Sequence, residues 1–115
     1  MPAYNFQKQF AAAVESGKKR QTIRNSRFRP TMSGDKLYLY TGMRTKKCRL
    51  LLEAECKSVQ QVMITRNGAC LNGRYLYGEA LRLFAEADGF ASWPAMRDWF
   101  KKTHGLPFHG EVISW

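Results

Sequence analysis

FAAAVESGKKRQTIR, residues Phe10 to Arg24, carries two patterns and the break between them. Phe10, Ala13 and Val14, with Phe6 one turn earlier, recur at helical spacing. Gly17 stands where a helix commonly ends in a left-handed residue. Past the basic run, Thr22 and Ile23 favour a strand. The stretch predicts a helix over roughly 6–16, a turn leaving Gly17, and a short strand reaching Arg24.

Outward from this stretch, residues 25–33 are polar, contain Pro30 and read as a loop, and Gly34-Asp35 is a turn signal. KLYLYT (36–41) reads as a strand whose apolar character suggests cover on both faces. RLLLEAEC (49–56) and the segment 58–65 read as further strands. Asn67-Gly68 and Asn72-Gly73 are hairpin signals around short strands at 69–71 and 74–76. EALRLFAEA (79–87) has Leu81, Phe84 and Ala85 on one stripe and Gly89 as terminator. Ser92 as N-cap and Pro94 in the first turn open a helix to about Thr103, with Met96, Trp99 and Phe100 on its apolar face. A strand over 111–115 closes the chain. The sum is an α+β chain of about five or six strands and three helices. Closely spaced hairpins argue for a small curled sheet or barrel with helices attached.

The chain has 115 residues, the length of one ordinary domain, and 44% hydrophobic residues, enough for a packed interior. The net charge is +10. Residues 1–50 hold 12 basic and 2 acidic side chains, whereas residues 51–115 hold 7 of each. A cationic excess gathered into one half, mostly between Lys18 and Arg49, points to a polyanion or a phosphorylated ligand, with nucleic acid slightly ahead. A solvated face serving solubility is the competing reading. No apolar run approaches the roughly 20 residues of a membrane span, so no membrane partner is expected. The N-terminus has no basic region followed by an apolar stretch, so no secretory signal is expected either. Cys48, Cys56 and Cys70 make an odd count without metal-site spacing, which fits a reducing cytoplasm. His104 and His109 lack flanking soft ligands, and no metal or other cofactor is expected.

The pattern F-x(6)-G-x-K-x-x-T-I-R, here Phe10, Gly17, Lys19, Thr22, Ile23 and Arg24, resembles the signature of the ASCH domain family. Gly34-Asp35 before a strand, Ala87-Asp88-Gly89-Phe90, Trp99-Phe100 and the closing strand to Trp115 extend the resemblance over essentially the whole chain. It implies a small β-barrel similar to PUA RNA-binding domains. Some members are amidohydrolases that remove the acyl group from N4-acetylcytidine and related N4-acylated cytosine nucleosides, using a Lys, a Thr and a Glu. The Lys falls on Lys19 and the Thr on Thr22. The acid falls on Asp88, one methylene shorter than Glu, with Glu86 as the alternative. Other members look like RNA-binding proteins, and ribonuclease activity is attributed to some.

Chemistry gives these residues definite tasks. Thr22 is a nucleophile only if a base removes its proton. The two histidines lie far off in sequence, so Lys19 is the expected base, and it must be neutral to act. Lys18, Arg20, Arg24 and a dry pocket would lower its pKa, while Asp88 would raise it and orient the amine. Lys19 and Thr22 converge only if the strand begins after Lys19, since residues 20, 22 and 24 share one strand face. Arg24 and Arg20 on that face are expected to hold substrate. Tyr40, paired with Tyr38 along one strand face, is a candidate for stacking on a base, against a core role. Trp93, Trp99 and Trp115 read as core. The resulting expectation is a metal-independent amidohydrolase acting on an N4-acylcytidine. Thr22 either attacks directly or positions water. The alternatives are an RNA-binding module without catalysis and a metal-independent ribonuclease.

Overall fold

The computed structural model describes residues 2–115. The elements in order are β1 (Ala3–Phe6), α1 (Lys8–Glu15), β2 (Gln21–Arg24), β3 (Lys36–Thr41), β4 (Arg49–Glu55), β5 (Ser58–Ile64), β6 (Ala69–Leu71), β7 (Arg74–Leu76), α2 (Gly78–Ala87), α3 (Trp93–Thr103) and β8 (Phe108–Ser114). The α+β class and the three helices agree with the sequence reading; the strands number eight, which is the seven segments read singly as strands plus β1, against the overall expectation of about five or six. They form two sheets, one ordered β1-β3-β4 and one ordered β2-β8-β5-β6-β7.

β1 is the element that the sequence reading lacked. It pairs in parallel with β3, Ala3 opposite Tyr38 and Phe6 opposite Thr41. Phe6, expected to open the first helix, ends this strand instead, and Gln7 is the extended N-cap of α1. The remaining pairs are antiparallel. β8 begins at Phe108, three residues before the expected start at Glu111. Gly110 lies inside it, and a Cβ there would sit 2.3 Å from the Arg24 carbonyl oxygen. β2 therefore approaches β8 closely only because that residue has no side chain.

Two apolar cores fill the molecule. Phe10, Ala11 and Val14 of α1 pack with Tyr4, Phe6, Leu37, Leu39, Leu51, Ile113 and Trp115. Leu81, Phe84 and Ala85 of α2 and Met96 and Phe100 of α3 pack with Ile23, Val62, Ile64, Phe108 and Val112. Alternation along β8 sends Val112 to one core and Ile113 to the other. In β3 the same alternation buries Leu37 and Leu39 completely and leaves Tyr38 and Tyr40 half-buried. Both faces of this strand are thus covered, one fully and the other in part. Among the described residues no helix is long and apolar enough to cross a membrane.

Candidate active site

Two helix ends build the site. At the first, Gly17 takes φ +83°, where Gly carries no Cβ penalty. Its N–H donates to the Val14 carbonyl, and the N–H of Lys19 reaches back to that of Ala13. This turn holds Lys19 against the end of α1, and β2 starts two residues later, at Gln21. Lys19 is therefore off the strand, as convergence with Thr22 requires.

At the second, α2 ends in paired carbonyl-capping bonds, Gly89 N–H to Glu86 O and Phe90 N–H to Ala85 O, with Gly89 at φ +95°. Asp88 is the C-cap. Lys19 Nζ donates to its backbone carbonyl (2.5 Å) and to its Oδ1 (3.1 Å). An aspartate at a helix C-terminus opposes the helix dipole, and an ammonium there is favourable. The unfavourable carboxylate is offset by the cation it shares the helix end with. Gln21 Nε2 donates to the same Oδ1 (3.4 Å).

The Lys19 side chain is only 3% exposed and that of Asp88 6%. The Lys19 ammonium lies 5.1 Å from the centroid of the Phe10 ring and 5.9 Å from that of Phe6. Burial lowers the lysine pKa below 10.5; Asp88 pulls it back up, and Arg24 lowers it further. Burial likewise raises the Asp88 carboxyl above 3.8, against the pull of Lys19, Gln21 and Arg24. Both partners are thus pushed toward their neutral forms.

Lys19, Asp88, Thr22 and Arg24 line one cleft of about 350 Å³. Arg24 Nε donates to Thr22 Oγ1 (2.8 Å), and its NH2 group donates to the carbonyl of Asn5 (2.7 Å). The guanidinium is 4.9 Å from the Phe6 ring centroid and 5.3 Å from that of Tyr4. With its oxygen already accepting from Arg24, the buried Thr22 hydroxyl retains a hydrogen to give away. Phe10, Phe90 and Trp99 form an edge-packed aromatic wall, with centroids 5.4 to 6.3 Å apart. Asn5, Gln7 and Asn25 supply amide groups to the cleft.

Three candidates do not reach it. Glu86 accepts from Arg82 (2.7 Å) on the exposed face of α2, so Asp88 is the carboxylate beside Lys19. Arg20, just before β2, is outside the lining of the cleft. Its Nε donates instead to the carbonyl of Trp115 (3.2 Å). Tyr40 lies on β3, outside the lining of the cleft. Trp99, read as core, is partly buried against the second core and also lines the cleft.

His104 is the residue that sequence separation hid. It caps the C-terminus of α3, lines the cleft, and packs against Trp99 at 5.7 Å between centroids. Partial burial, then Arg24, lowers its pKa below 6.5, which favours neutral imidazole. Gly105 as a helix stop was the available signal, since it marks a chain reversal beside this residue.

Comparison with models of known families, with curated proteins and with solved structures finds no match for this chain.

Proposed function

We propose that the cleft hydrolyses the exocyclic amide of an N4-acylated cytosine nucleoside, N4-acetylcytidine being the first substrate to try. The observation that carries this reading is the buried Lys19–Asp88 pair opening onto the same cleft as the Thr22 hydroxyl. A lysine pushed toward its neutral form by burial is a candidate general base. A cleft of about 350 Å³ with an aromatic wall and a few amides also suits a nucleoside.

In the proposed reaction Lys19 takes the Thr22 hydroxyl proton as the oxygen attacks the acyl carbonyl. The tetrahedral oxyanion is held by Arg24 or backbone N–H groups. On collapse the C–N bond breaks and Lys19 returns the proton to the departing N4 amine. Water then hydrolyses the acyl-threonine, releasing the carboxylic acid. Alternatively Thr22 positions a water that Lys19 deprotonates, and the same bond breaks in one displacement. Asp88 orients the Lys19 amine throughout and pairs with the ammonium that forms between the two proton transfers. We place this chemistry on a PUA-like frame, with the two sheets as halves of an opened barrel. β4 passes into β5 across only Cys56 and Lys57, and β8 serves both cores, which supports that description. Three free cysteines fit a reducing cytoplasm.

The test is release of cytidine from N4-acetylcytidine by wild type and by Lys19→Ala. Removal of a general base lowers turnover by about 10²–10⁴-fold. An inert wild type, or a fully active variant, rules the reading out.

A further inference from the structure

Phe28 is 99% exposed, the most exposed of the large apolar side chains. It is not on a loose strand of chain. One residue before it, Arg27 donates to the carbonyl of Ala3 and lies 4.1 Å from the Tyr4 ring centroid. Three residues after it, the buried Thr31 hydroxyl is hydrogen-bonded to that of Tyr4. Both flanks of the aromatic are thus fastened to one buried tyrosine, and the tip between them is presented outward. A single exposed apolar ring calls for no cover on its own; this one is set apart by flanks that hold it beside a cationic groove.

The surroundings define what would cover it. Arg27, Arg29 and Lys36 line an open groove of about 570 Å³ beside the tip, around Pro2, Pro30 and Gly34. The carboxylate that shares this groove, Asp35, accepts from the N–H of Met32 (2.9 Å). Lys36 is paired with Glu53 (3.1 Å), which leaves the two arginines as its strongest anion donors. Arg27 commits one N–H to Ala3, and a guanidinium carries five. A second copy of the chain is a poor occupant, because each copy carries +10. A partner with a flat, unpaired aromatic face and closely spaced negative charges meets both demands, and unpaired bases of RNA are of this kind.

We propose that the loop from Asn25 to Pro30 docks single-stranded RNA, an unpaired base stacking on Phe28 while Arg27 and Arg29 hold the adjoining phosphates. The loop leaves β2 directly after Arg24, which lines the cleft. Phe28 lies four positions after Arg24, a backbone reach of at most about 14 Å. A nucleotide strand on the loop is therefore within a few nucleotides of the cleft. The docking rests on the cleft reading only for the identity of the base that enters there.

Fluorescence anisotropy with a short labelled oligocytidylate tests the docking. Phe28→Ala should lose about tenfold in affinity, Phe28→Tyr should keep it, and added salt should weaken the binding of all three proteins. Equal affinity of wild type and Phe28→Ala overturns the proposal, as does equally tight binding of duplex RNA. Phe28-dependent binding to anionic vesicles in place of the oligonucleotide, or Phe28-dependent self-association, also overturns it. Acyl release from free N4-acetylcytidine is measured alongside and should be unchanged in Phe28→Ala. Phe28-dependent RNA binding without any acyl release would sink the cleft reading and leave the docking. Acyl release without RNA binding would do the reverse.

Discussion

At the scale of single residues, Lys19 stands in an environment where opposing effects can be separated. Burial and Arg24 lower its pKa, whereas the charge and hydrogen bond of Asp88 raise it. If neutral Lys19 is the base, turnover rises with pH and levels off around its folded pKa, below 10.5. Asp88→Asn removes the charge that raises it, so the rising limb should move to lower pH. Arg24→Gln removes a lowering influence, so the limb should move to higher pH. A pH–rate profile of each variant checks both directions, and Asp88→Asn moving the limb upward would contradict the assignment. The same pair makes a stability prediction. Lys19→Met leaves the Asp88 carboxylate buried without its cation, at a cost of about 3–5 kcal/mol near neutral pH. Lys19 lowers the Asp88 pKa, so its loss raises that pKa further. The folded variant then binds a proton that the unfolded chain, with its ordinary carboxyl, does not. Its stability must fall as pH rises through that window, and its deficit against wild type must shrink on acidification. Urea unfolding at neutral and mildly acidic pH measures this, and Lys19→Met with Asp88→Asn should recover much of the loss.

At the scale of elements, the end of α2 has to deliver Asp88 and make room for α1 at once. Gly89 has φ +95°, and a Cβ there would lie 2.9 Å from Phe10 Cδ1 and 3.3 Å from Lys19 Cδ. Gly73 has a similar φ of +81° with nothing within 4 Å. Gly73→Ala therefore pays backbone strain alone, about 1–2 kcal/mol. Gly89→Ala adds overpacking of about 1–3 kcal/mol. Urea midpoints should fall further for Gly89→Ala, and only that variant should disturb the cleft. The elements legible in the sequence are those with local chemistry of this kind. Asn72 and Gly73 both have positive φ, as a two-residue hairpin demands, and the Ser92 hydroxyl accepts from Ala95 N–H at the start of α3. β1 left no such mark, because its partner β3 lies some 35 positions along the chain, Ala3 opposite Tyr38. In the site, Lys19, Thr22 and Asp88 were legible through motif spacing. His104 was not, because the end of α3 comes beside the cleft only when the helices pack. Arg20 was not placed correctly, because its guanidinium is held by the Trp115 carbonyl at the far end of the chain, a contact that local spacing does not reveal.

At the scale of the whole molecule, the question is whether two cores behave as one. The core under α1 draws on the β1-β3-β4 sheet, and the core under α2 and α3 draws on the five-stranded sheet. β8 contributes to both, and Phe90 packs against both. The cleft itself needs both, since Phe10 and Lys19 come from one side and Phe90 and Trp99 from the other. Loss of either core strips buried apolar surface from the shared strand, at about 25 cal/mol per Å². Neither half can therefore open without weakening the other. Urea unfolding should be a single transition. The tryptophans make this testable by position, because Trp115 sits in the first core while Trp93 and Trp99 pack against the second. In a Trp99→Phe, Trp115→Phe protein, fluorescence from Trp93 reports the second core alone. In a Trp93→Phe, Trp99→Phe protein, that from Trp115 reports the first. Within each variant the fluorescence midpoint should coincide with the far-ultraviolet circular dichroism midpoint of that same variant. A fluorescence transition displaced from the dichroism in either protein would show that the cores come apart separately, and that β8 does not couple them.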